Sequence, residues 1–144
     1  MRDMHSSTKA LVAIGATALA ADNTPAAIDL QGYSAAEIIL AIGVGGITFS
    51  GTNKVEFVLT HSDDDSTYTA VTTADMLGVT VASGGIIKAL TAAHAAAAVY
   101  RYGYVGGKRY LKLLADFSGT HGTATPIAAT VVAAANLSPV AAQA

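Results

Sequence analysis

The side chains able to do chemistry fall into a few recognisable sets. Gly103-Tyr104-Val105-Gly106-Gly107-Lys108 has the look of a phosphate-binding loop. That loop, however, needs G-x-x-x-x-G-K followed by Ser or Thr to reach magnesium, and here the spacing differs and Arg109 follows Lys108. The four histidines, His5, His61, His94 and His121, are scattered, without the i, i+2 or i, i+4 pairs that put two ligands on one side of a strand or helix. Asp63-Asp64-Asp65 clusters carboxylates of the kind that suit calcium, but the EF-hand spacing and a distal Glu are missing, so a solvated loop is the simpler reading. There is no cysteine, hence no thiolate nucleophile, no disulfide and no zinc–sulfur site. No G-x-S-x-G elbow and no glycosidase-like carboxylate signature is present. The sequence therefore assigns no catalytic residue, no cofactor-binding residue and no metal ligand, and the expectation is a protein that is not an enzyme.

The remaining set is aromatic and basic: Tyr100, Tyr102, Tyr104 and Tyr110 interleaved with Arg101, Lys108 and Arg109. Such a set can stack on nucleic-acid bases. Tyr and Arg are also the side chains that anchor protein interfaces. A formal net charge of −2 provides no electrostatic attraction for nucleic acid, so a protein surface is preferred. The interface candidates are Tyr100, Arg101, Tyr102, Tyr104, Arg109 and Tyr110.

Composition points the same way. Only 12% of residues are charged and 52% are hydrophobic, against about 25% charged in an average soluble domain. A free monomer keeps its surface charged; a chain this poor in charge is better explained by an assembly that covers it, including copies of itself. No formal charge follows Asp116, which is unlike a solvated tail. No apolar run reaches the roughly 20 residues needed to span a bilayer as a helix, and no membrane partner is expected. Ala10 to Ala20, after Arg2 and Lys9, could be read as a secretory signal ending in Ala18-Leu19-Ala20. Gly15 and Thr17 interrupt the run, and an extended arm or first strand is the preferred reading.

The elements that must position these residues are mostly strands. Ala26–Leu30 reads as a short strand. Ile38, Leu40 and Ile42 alternate with Glu37, Ile39 and Ala41, and Ile47–Phe49 resumes the run after a glycine break. Val55, Phe57 and Leu59 alternate with Lys54, Glu56 and Thr60. Residues 62–66 then make a hairpin loop into Thr67–Val71. Asp75–Gly78 fits one helical turn, with Thr73 or Asp75 as its cap. Ala89–Ala98 reads as a helix or an extended insertion. Tyr100–Phe117 predicts a hairpin of two long strands turning at Gly106-Gly107, with Arg109, Leu111, Leu113 and Phe117 on one side. Ile127–Ala133 is a last strand. The expected fold is mainly β: a single antiparallel β-sandwich or barrel with extended N- and C-terminal arms and at most one or two short helices. The expected divisions are 1–25 (arm or first strand), 26–134 (the sandwich) and 135–144 (a tail).

Three blocks carry a family likeness: Ile28-Asp29-Leu30-x-Gly32-Tyr33, then Ser62-Asp63-Asp64 with Ser66 and Tyr68, then Gly103-Tyr104-Val105-Gly106-Gly107-Lys108-Arg109-Tyr110. Together with a short strand before Pro139, they resemble small virion proteins of tailed bacteriophages and prophages encoded near the major capsid protein. The likeness covers roughly residues 26–140. It implies a β-sandwich or barrel located in the virion, on the capsid surface. There it would act as a decoration (cement) protein that binds the major capsid protein and bridges neighbouring subunits. The runner-up is a head–tail connector or tail component. From a different class, a secreted β-sandwich that binds sugar or calcium would require cleavage after Ala20.

Overall fold

The structure, a computed structural model, describes residues 4–136. Its strands are β1 (Lys9–Leu19), β2 (Ile28–Asp29), β3 (Tyr33–Ile42), β4 (Lys54–Ser62), β5 (Thr69–Ala70), β6 (Met76–Leu77), β7 (Ile86–Leu90), β8 (Ala98–Tyr104), β9 (Tyr110–Ser118) and β10 (Thr125–Asn136). One five-stranded sheet runs β1-β10-β3-β8-β6; the other runs β2-β9-β4-β5, with β7 also paired to β4. All the pairings are antiparallel. The sheets face each other as a sandwich and do not close into a barrel.

The period-2 pattern decides which side chains meet between the layers. Ile38, Leu40 and Ile42 of β3 and Ile127, Ala129, Val131 and Ala133 of β10 come from the first sheet. Val55, Phe57 and Leu59 of β4 and Leu111, Leu113 and Ala115 of β9 come from the second. All are at most 2% exposed, and each fully buried Leu, Ile or Phe side chain contributes about 1.5–3 kcal/mol by leaving water.

Several expectations change. The alternation in 100–117 is real, yet β8 and β9 are not a hairpin: β8 pairs with β3 and β6, whereas β9 pairs with β4 and β2. Residues 105–109 cross from one layer to the other. Alternation shows which side chains point inward but not from which layer, because Tyr102 and Leu113 approach the same core from opposite sides. Gly107 makes the crossing with φ 72°, a left-handed value that glycine adopts at no steric cost. Val105 N donates to the Asp75 carbonyl at 2.8 Å, anchoring its start.

The alanine-rich 89–98 stretch is not a helix. It ends β7, continues as loop and begins β8, held by Gly45 N donating to the His94 carbonyl at 2.8 Å. Ile47–Phe49 is loop, although Phe49 is 2% exposed. The helical turn sits earlier than expected, at Thr73–Asp75. It is capped by Thr72 in a capping box with Asp75, and Met76–Leu77 is strand. Lys9–Leu19 is β1, the edge strand of the first sheet, and Ala13 and Ile14 enter the core. The tail expected at 135–144 lies outside the described residues beyond Asn136, where β10 ends.

Candidate functional site

One end of the sandwich gathers segments far apart in sequence. Leu30 N donates to the Arg109 carbonyl at 2.8 Å, joining the end of β2 to the start of β9. This brings the Arg109 guanidinium onto Asp29, with Nε to Oδ1 at 2.8 Å and a terminal nitrogen to Oδ2 at 2.7 Å. The same terminal nitrogen reaches Gln31 Oε1 at 2.6 Å. The Arg109 bonds hold the Asp29 carboxyl below its ordinary range, and Asp29 raises Arg109 in return. The two side chains remain 43% and 40% exposed, so water screens much of this pairing.

Beside it, the Tyr104 hydroxyl accepts from Lys108 N at 3.1 Å and lies 2.9 Å from His61 Nδ1. The phenol oxygen has a second lone pair and one proton, so it can serve either tautomer of the His61 ring. Burial lowers the His61 pKa, and Lys108 lowers it further. Lys108 Nζ lies 3.9 Å from Asp63 and donates to Thr69 Oγ1 at 3.3 Å. Between these groups opens a cleft of about 440 Å³, lined by Gly32, Tyr33, Asp63, Val105, Lys108 and Arg109, among others.

The three aspartates of the neighbouring loop are each engaged. Asp64 accepts from the N–H groups of Thr67 and Ser66 and from the Ser62 hydroxyl, and those bonds hold its pKa down at about 2. Asp65, at φ 58°, accepts from the Tyr68 hydroxyl. Asp63 faces Lys108. They brace a turn, and among the described residues no three His, Asp or Glu side chains converge as a metal-binding set.

The expected interface residues do not form one patch. Tyr102 and Tyr104 are 7% and 4% exposed, and burial raises both phenols, Tyr102 to about 12. They belong to the core and are corrected out of the interface: both rings are buried, and the Tyr104 hydroxyl keeps polar partners in His61 and Lys108. Tyr100 is half-buried on the same inward side, 3.2 Å from His94 Nε2, with Lys88 Nζ 4.1 Å over its ring. Arg101 points outward and is 77% exposed, paired with Glu37 at 3.1 Å. Arg109 lies 4.7 Å over the Tyr110 ring beside the cleft.

Sequence reasoning missed the outward side of the first sheet. Register places Ala10, Val132, Glu37, Gly103 and Leu77 in one row across it. The next row is Val12, Thr130, Ile39 and Arg101, followed by Ala128, Ala41 and Val99. Val12, Val99 and Leu77 are 68%, 67% and 59% exposed. An apolar groove of about 600 Å³ continues this face past Ala16, Gly43, Ala97 and Pro126. The outward side of the second sheet is different in kind: Lys54 bonds Glu56 at 2.7 Å, Asp116 stands opposite Glu56, and Lys112 sits 4.0 Å over Tyr68. The signal available in the sequence was that β3 and β10 are apolar at both parities but for Glu37 and Thr130 on the outward one, close to the pattern of strands covered on both sides. No protein family model, no curated protein and no solved structure matches this chain.

Proposed function

We propose that this chain is a non-catalytic structural protein of a bacteriophage particle, a decoration protein that binds the capsid surface and bridges neighbouring capsid subunits. The carrying observation is convergence. The blocks at 28–33, 62–68 and 103–110, which bear the likeness to phage virion proteins, meet at one end of the sandwich through Asp29–Arg109, Asp63–Lys108 and the cleft they enclose. Arg109, Tyr110 and the 53%-exposed Val105 then make the shell contact. A protein that binds only the assembled shell lowers its free energy and raises the heat needed to open it. Modest binding per copy suffices, because many contacts act together.

The test is to prepare particles without this protein, add it back and follow their melting. Wild-type protein should raise the melting temperature; Val105→Lys, at an exposed position, should fold and fail to do so. Particles that melt identically with and without the protein, but lack tails in its absence, would replace decoration with a connector role.

A further inference from the structure

The outward side of the first sheet is separate from the cleft, and a different partner fits it. We propose that this face is the interface between two copies of this chain, packed sheet to sheet about a two-fold axis. The proposal holds whether or not the cleft binds a shell.

Area is the first argument. The four longer strands β1, β10, β3 and β8, spaced by about 4.8 Å, give a face about 19 Å wide, and residues Ile127 to Ala134 of β10 run about 27 Å along it, so the face offers about 500 Å². A stable interface takes about 800 Å² from each partner, and the groove past Pro126 extends the face toward that value. On a free monomer the same patch is at the upper end of what stays uncovered, about 300–600 Å².

Shape is the second. Small outward residues (Ala10, Ala128, Ala41, Gly103) are interspersed with Val12, Val132, Ile39 and Val99. A surface of alternating large and small side chains can receive its own copy, with branched side chains seated over alanines at the usual sheet separation of about 10 Å.

Charge is the third. The charged side chains on this face, Glu37 of β3 and Arg101 of β8, neutralise each other at 3.1 Å, and the outward rows of β1 and β10 (Ala10, Val12, Ala128, Thr130, Val132) carry no charge. The outward side of the second sheet, with Lys54, Glu56, Lys112 and Asp116, suits water instead.

Sedimentation of the full-length chain across a wide concentration range tests this. Wild type is expected at twice the 14.4 kDa of one chain. Val12→Lys combined with Val99→Lys should sediment as a monomer at the same concentration. Both positions are about two-thirds exposed, so the variant should keep the wild-type β-sheet circular dichroism. Val58→Lys, on the outward side of the second sheet, should remain dimeric. A wild type that stays monomeric throughout, forms a trimer, or dimerises equally well with both lysines in place would overturn the proposal.

Discussion

Replacing Leu113 and Leu114 separately by alanine tests the register of the second sheet with adjacent residues. Leu113 is 1% exposed, lies opposite Leu59 across β4, and points between the layers. Leu114 lies opposite Val58 and points outward, half-buried. Leu113→Ala removes buried carbons and leaves a cavity. Its walls are the facing sheet and the ladder of β9 with β4, so they cannot collapse far. The cost should fall at about 3–4 kcal/mol within the range of about 2–5 kcal/mol seen for such truncations. At about 2–4 °C of melting temperature per kcal/mol for a chain of this size, the shift is about 6–16 °C. Leu114→Ala gives up partly exposed area alone and should cost less than about 1 kcal/mol. Chemical denaturation with thermal melts on both variants reads the difference. Equal costs, or a Leu113→Ala cost below about 1 kcal/mol, would refute the inward assignment of Leu113 and with it the register of β9 on β4.

Two further predictions follow from the loops and the cleft. His61 is buried and neutral with its pKa below 6.5. The unfolded chain therefore takes up a proton first as pH falls, and the contribution of His61 to stability, complete above pH 6.5, is lost below it. The loss is at most about 1.4 kcal/mol per pH unit; His61→Gln should show a shallower decline between neutral pH and pH 5 in denaturant titrations, and parallel curves would contradict the assignment. Gly46→Ala would place a methyl against the carbonyl oxygens of Thr123 and Ala124, well inside van der Waals contact. Because Gly46 N also donates to buried Thr125 at 3.0 Å, the backbone must move and that bond be lost. A cost of about 2 kcal/mol or more is expected, and an unchanged melting temperature would show that this loop contact is not made.

The inward-facing residues of β4 and β9 were legible in the sequence because one parity is made largely of hydrophobic side chains and the other is mixed with Lys, Glu, Asp or Thr; in β3, Ile38, Leu40 and Ile42 outweigh Glu37, Ile39 and Ala41 in size. Layer membership was not legible. Gly106-Gly107 offers the same turn chemistry to a hairpin as to a crossing, and only the pairing of Ile38 with Tyr102 separates them. Ala92–Ala97 has helix propensity but no apolar stripe to bury, and the contact of His94 with the 43–45 loop decides its course. The cleft was visible as three blocks but not as one place, because Asp29 and Arg109 meet only once β2 has paired with β9. Tyr102 and Tyr104 were misassigned because composition alone cannot separate a core tyrosine from an interface tyrosine.

The position of β10 between β1 and β3 has a consequence for how the protein is made. During synthesis β1, β3 and β8 leave the ribosome first, but β1 has no neighbour in its sheet until residues 125–136 emerge. The nascent chain must therefore hold β1 unpaired within its sheet until β10 emerges, more than a hundred residues later. Such long sequence separations between partners slow folding, into milliseconds to seconds for β-sandwiches. Chains arrested before residue 125 should be the species that chaperones capture or that aggregates through β1.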